Sequence, residues 1–182
     1  MLKLRKFEAG EPLVVAMTAV KMADRLLVVG CREPKVIAQL AGKPGITGRA
    51  CAVDDSAERT ARALAAAEQE GALLEVETAA VGSLPYAAES FDVVVVNHLL
   101  PHVPDDQRAA WLREAARVLR GGGRCVVLQG GHRSGLASLF GGSAAMAAAD
   151  VEAALTAAGF RAVRTIAERD GLQFVEGARR AG

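Results

Sequence analysis

The sequence predicts an α/β protein: a doubly wound, three-layer α/β/α sandwich on a mostly parallel, seven-stranded sheet that closes with a C-terminal antiparallel hairpin. Three observations carry that expectation. Short, wholly apolar runs alternate with segments of helical periodicity along the chain, as parallel strands joined by crossover helices do. Val93-Val94-Val95-Val96 is apolar on both faces of any strand it forms, which places it centrally in a sheet covered on both sides. Towards the C-terminus, Arg169-Asp170-Gly171 separates two strand-like runs, and Asp-Gly in that position is a hairpin signal.

The elements follow in order. Leu26 to Val29 forms a buried strand that stops at Gly30. Pro34 suits the first turn of a helix, where its missing N–H is an orphan anyway; Val36, Ile37 and Leu40 then recur at helical spacing before Gly42. After a turn at residues 45–48, residues 49–53 form a second strand, closed by Asp54-Asp55-Ser56. Ser56 is the N-cap expected for an alanine-rich helix reaching about Gln69. A third strand spans residues 74–79, and the valine run is the core of a fourth, from Phe91 to Val96. Asp105 is expected to cap a helix through Arg120, with Trp111, Leu112, Ala115, Val118 and Leu119 along one face. Gly121-Gly122-Gly123 reads as a turn into a fifth strand, residues 124–129. Asp150 is expected to cap a further helix, residues 150–158, ahead of the hairpin strands at 160–166 and 172–175.

Composition narrows the function. With 182 residues the chain is long enough for one domain and short for two. Lys+Arg 22 against Asp+Glu 21 leaves a net charge of +1, which argues against nucleic-acid and anionic-membrane partners. Aromatic residues are only 4%, too few for base-stacking platforms. Cys31, Cys51 and Cys125 are widely spaced in apolar stretches. They form neither a disulfide framework nor a metal-ligand pattern, so no metal site is expected. No apolar run approaches the roughly 18 residues needed to span a bilayer, and the basic N-terminal stretch is interrupted by Glu8 and Glu11. A cytoplasmic protein is expected.

In open α/β sheets, ligands bind at the carboxyl ends of the strands, where strand order reverses. The candidate binding residues are therefore Gly30, Cys31, Arg32 and Glu33 after the first strand and Asp54 and Asp55 after the second. Ala80 and Val81 follow the third, and Asn97 and His98 the fourth. An acid at the end of the second strand, roughly 20 residues beyond the glycine turn, is placed to accept hydrogen bonds from a ribose diol. Asp54 stands there. His98 and His102 are the candidate general bases, because imidazole titrates near neutrality.

Leu26 to Cys31, Ala52-Val53-Asp54-Asp55-Ser56, Leu84-Pro85-Tyr86, Ser90-Phe91-Asp92-Val93-Val94-Val95 and Arg117-Val118-Leu119-Arg120-Gly121-Gly122-Gly123 occur in that order. Together they resemble class I S-adenosylmethionine-dependent methyltransferases of the small-molecule type, over about residues 12 to 177. The resemblance implies a Rossmann-like sheet in the order 3-2-1-4-5-7-6. It also implies S-adenosylmethionine as cofactor and methyl transfer to a small-molecule acceptor, with no nucleic acid or membrane as partner. One domain would cover residues 1–182: an N-terminal segment (1–22), a cofactor-binding half (23–129) and a substrate-side loop with the terminal hairpin (130–182). The family's first loop reads Asp/Glu-x-Gly-x-Gly-x-Gly, whereas the matching positions here are Val28, Gly30, Arg32 and Pro34. The acid that contacts adenine after the third strand is Ala80 here.

Two readings of this altered loop stand side by side. In one, Arg32 and Glu33 pair or face solvent, with Glu33 free to hold the cofactor's amine. In the other, the loop fills the pocket, and the domain is a catalytically inactive relative that acts through protein contacts or binds another adenosine-containing ligand. Acceptor specificity would lie in the N-terminal segment and the glycine-rich stretch 130–142, which includes His132 and Arg133.

Overall fold

The computed structural model describes residues 12–80, 82–130 and 146–181. The valine run lies near the middle of the sheet, as its burial on both faces requires. β4 (Phe91–Asn97) pairs in parallel with β1 (Arg25–Val29) on one side and β5 (Leu119–Gly130) on the other. Beyond β1 follow β2 (Arg49–Asp54) and β3 (Glu75–Thr78), also parallel. Beyond β5 comes β7 (Leu172–Ala178), antiparallel to β5 and to β6 (Arg161–Arg169) at the far edge. The order β3-β2-β1-β4-β5-β7-β6 is the expected one.

Alternate side chains of the central strands feed two cores, because successive residues of a strand point to opposite faces. Leu26, Val28, Val93, Val95, Val126 and Leu128 pack under α1 (Leu13–Thr18), α2 (Pro34–Ala41) and α3 (Ala57–Gln69). Leu27, Val29, Val94, Val96 and Val127 pack under α4 (Asp105–Val118) and α5 (Ala148–Ala157). The face of α4 that closes this second core is Trp111, Leu112, Ala115 and Val118, all buried.

Local chemistry accounts for the boundaries. Ser56 Oγ accepts the Arg59 N–H at 3.3 Å, so α3 carries the predicted cap. Asp170 and Gly171, with φ of 54° and 73°, make the tight β6–β7 turn, the conformation Asp-Gly tolerates. Two predicted caps are corrected. Pro104 and Ala147 occupy the N-cap positions of α4 and α5, and neither helix has a side-chain cap bond. Asp105 and Asp150 lie inside the first turns, where a carboxylate acts on the helix dipole instead. The predicted glycine turn at 121–123 is corrected as well. β5 runs through it, pairing Leu119 with Phe91 and Arg124 with Val93 across a register shift, a bulge that absorbs the extra residues.

Candidate active site at the sheet switch point

Strand order reverses between β1 and β4, and the loops beyond their carboxyl ends are stitched together. Gly30 has φ +98°, and a Cβ there would lie 2.5 Å from the Asn97 carbonyl oxygen. Only glycine fits so close a backbone approach. Asn97 is fully buried, and its Nδ2 donates to the Gly30 carbonyl at 3.1 Å. On the other side the Gly30 N–H donates to the Val53 carbonyl at 2.8 Å. The Cys31 N–H then donates to Asp54 Oδ2 at 2.7 Å, so the loop after β1 is tied to the acid ending β2.

Asp54 is 1% exposed, and both its oxygens are engaged. Oδ1 accepts the Ser56 N–H at 3.0 Å and Arg59 Nε at 2.7 Å. Burial opposes ionisation of this carboxyl, yet the bonds from Arg59, Cys31 and Ser56 outweigh it and hold its pKa below the ordinary value. Exposed Asp55 also accepts from Arg59 Nη2. Arg59 therefore bridges both acids. Sequence alone does not reveal this partner, because an arginine early in a polar helix reads as solvated. The available signal is its place in the first turn of α3, over the strand end that the helix follows.

Arg32 and Glu33 do not pair. Glu33 is exposed at the N-cap position of α2 and makes no cap bond. Arg32 is half-buried, and its Nε is wholly covered without an acceptor. Cys31 is buried, and burial pushes its thiol up to about 12, too high for a nucleophile at neutral pH. Ala80 is exposed beyond β3, whereas Val81 lies outside the described residues, as do His132 and Arg133.

His98 follows β4 in a left-handed conformation, φ 49°, and is half-buried. Its N–H donates to the Leu128 carbonyl at 2.8 Å. Burial lowers its pKa; the charge of Glu33 opposes that shift and the charge of His102 adds to it. His102 ends a 3-10 turn, Leu100–His102, and is exposed. Its pKa is lowered by desolvation and then by the charges of Arg32 and Arg59. The loops after β1, β2 and β4 meet through the Cys31–Asp54 and Asn97–Gly30 hydrogen bonds. Hydrogen bonds thus connect Asn97 to Gly30 and Asp54 to Cys31 and Arg59, with Arg32 and Glu33 next along the first loop and His98 directly after Asn97.

The methyltransferase-domain family matches residues 27–127. The chain belongs to the class I S-adenosylmethionine-dependent methyltransferases. Among curated proteins it is 33% identical over 123 residues to Methyltransferase GfsG of Streptomyces halstedii, covering 66% of this chain and 44% of that protein. It is 35% identical over 116 residues to the 27-O-demethylrifamycin SV methyltransferase of Amycolatopsis mediterranei, covering 63% and 41%. The chain thus spans less than half the length of these two relatives. A S-adenosylmethionine-dependent methyltransferase from Aquifex aeolicus shares the fold with a TM-score of 0.77 at 18% identity, over 93% of this chain and 89% of that one. So does the [4+2]-cyclase SpnF, with a TM-score of 0.72 at 19% identity over 93% and 79%. No helix among the described residues is long and apolar enough to cross a membrane.

Proposed function

We propose that this chain transfers a methyl group from S-adenosylmethionine to a small-molecule acceptor, as a cytoplasmic enzyme. The observation that carries the reading is the stitched switch point, where Cys31, Asp54 and Asn97 bring three strand ends to one place. The name of one curated relative, a 27-O-demethylrifamycin SV methyltransferase, supports the small-molecule class.

The polar groups fit such a cofactor. Asn97 Oδ1 and Arg32 Nε are buried without partners, and an uncompensated buried polar group costs about 1–3 kcal/mol that a ligand can recover. Asp54 and Asp55 would hold the ribose hydroxyls, which must take the place of Arg59. Gly30 and Cys31 would border the methionine moiety, with Glu33 on its amine, and Ala80 and Val81 would border the adenine. When bound, the cofactor supplies an electrophilic methyl group. The protein's part is to align the acceptor in line with it, worth more than any single side chain. His98, neutral at pH 7 through its lowered pKa, would take a proton from an acceptor hydroxyl or amine, with His102 as the second candidate base.

Calorimetric titration with S-adenosylmethionine and S-adenosylhomocysteine tests this reading, with binding of both expected. One observation favours a second reading. The acid after β2 is already saturated by Arg59, as it would be in a catalytically inactive module that acts through protein contacts or holds another adenosine-containing ligand. The cyclase among the structural neighbours is a reminder that this fold is not tied to one reaction. Absence of heat with both ligands would select that alternative.

A further inference from the structure

We propose that Arg32 is the anchor for the α-carboxylate of the cofactor's methionine moiety, an inference that rests on the methyltransferase reading above. Arg32 stands where the family's loop carries a glycine, so a side chain enters the space that the loop otherwise leaves open. It makes no hydrogen bond or ion pair among the described residues, and its Nε is buried without an acceptor. A guanidinium left this way is unusual, because its planar fork of donors ordinarily finds a carboxylate.

The acids of the adjoining strand-end loops explain why it does not find one among the described residues. Asp54 and Asp55 are both taken by Arg59, and neighbouring Glu33 is exposed without bonding to it. Arg32 is therefore the uncompensated cation of the site. Its backbone is held firmly, since the Cys31 N–H before it donates to Asp54 Oδ2 at 2.7 Å and α2 begins two residues later, at Pro34. Its positive charge adds to the lowering of the His102 pKa, on the loop after β4. S-adenosylmethionine carries one anionic group, the α-carboxylate, and that is the group an arginine fork matches. Glu33, beside it, is free to face the ammonium of the same amino-acid tail. In this arrangement the altered loop exchanges glycine's backbone approach for a side chain of complementary charge.

The test removes the carboxylate from the ligand as well as the arginine from the protein. S-adenosylhomocysteine carries the amino-acid tail, and 5′-methylthioadenosine lacks it. Both are titrated calorimetrically into wild type, Arg32→Gln and Arg32→Lys, with each variant's fold checked by circular dichroism. Wild type is expected to prefer S-adenosylhomocysteine. Arg32→Gln should weaken that ligand by about tenfold or more, the scale of a charge-assisted hydrogen bond, and leave 5′-methylthioadenosine unchanged. Arg32→Lys should fall between. Equal losses for both ligands, or tighter S-adenosylhomocysteine binding by Arg32→Gln, would overturn the assignment while leaving the methyltransferase reading in place. A wild type that binds neither ligand would overturn both.

Discussion

Asp92 holds Arg25 by both backbone and side chain. Its Oδ2 accepts the Arg25 N–H at 2.8 Å and Nε at 3.1 Å, while Oδ1 accepts Nη2 at 3.2 Å and also Arg120 Nε at 2.5 Å. The start of β1, the start of β4 and the bulged start of β5 are joined through this one carboxylate, at the end of the sheet opposite the candidate site.

Asp92→Ala is expected to lower unfolding free energy by about 2–3 kcal/mol at pH 7, the scale of hydrogen bonds to a charged group. The Arg25 bonds hold the pKa of Asp92 well below the carboxylate range. Its contribution is therefore full above the unfolded value of about 4 and is lost as pH falls through the folded one. Denaturant titrations should show the wild-type advantage at pH 7 shrinking progressively below about pH 4. A gap independent of pH would contradict the charge-based account.

Gly30→Ala should cost about 3 kcal/mol or more, because the new methyl group meets backbone rather than a yielding side chain and the positive φ disfavours alanine. Thermal unfolding measures it. A variant as stable as the parent would mean that the loops after β1 and β4 do not meet as described.

Arg59→Ala separates the two demands on Asp54. Stability should fall by about 1–3 kcal/mol with the loss of a partly buried ion pair and its bonds. If ribose hydroxyls displace the guanidinium, affinity for S-adenosylhomocysteine should rise by about threefold or more. Asp54→Ala should instead weaken that ligand by about 1.5–3 kcal/mol. Unaltered affinity in both variants would remove Asp54 from the ribose site.

The histidines give a spectroscopic check that needs no ligand. In NMR titrations His98 and His102 should protonate below the ordinary value of about 6.5. Glu33→Gln should push His98 lower still, because the Glu33 charge raises it. Since both folded pKa values are depressed, the neutral imidazoles contribute stability above about 6.5 that is lost as pH falls through the folded values. A His98 titration indifferent to Glu33→Gln would separate the loop after β1 from the loop after β4.

Most of the sheet is legible because its signals are local: the valine run, the apolar strand before Gly30 and the Asp-Gly turn each prescribe one backbone state. Strand order is not local, and it follows from the family resemblance. The errors arise where residues of one composition serve two purposes. Three consecutive glycines suit a turn, yet β5 uses them to cross a bulge against Phe91 and Val93. Aspartates near a helix start suit a cap, yet at positions 105 and 150 they stand within the first turn, behind Pro104 and Ala147. At the site, sequence places Asp54 correctly at a strand end and says nothing of its saturation. That depends on where the Arg59 side chain turns, and no periodicity encodes it.

The insertion of β7 between β5 and β6 makes the edge strand depend on one that follows it in the chain. β6 is synthesised first, but its only strand partner among the described residues is β7, in pairs such as Arg164↔Glu176 and Thr165↔Val175. Until residues 172–178 dock, the edge of β5 at Val126, Val127 and Leu128 lacks its strand partner on that side among the described residues. A bare apolar edge is a template for pairing with another nascent chain. A chain truncated before residue 172 would thus leave the β5 edge bare and should aggregate where the full chain does not.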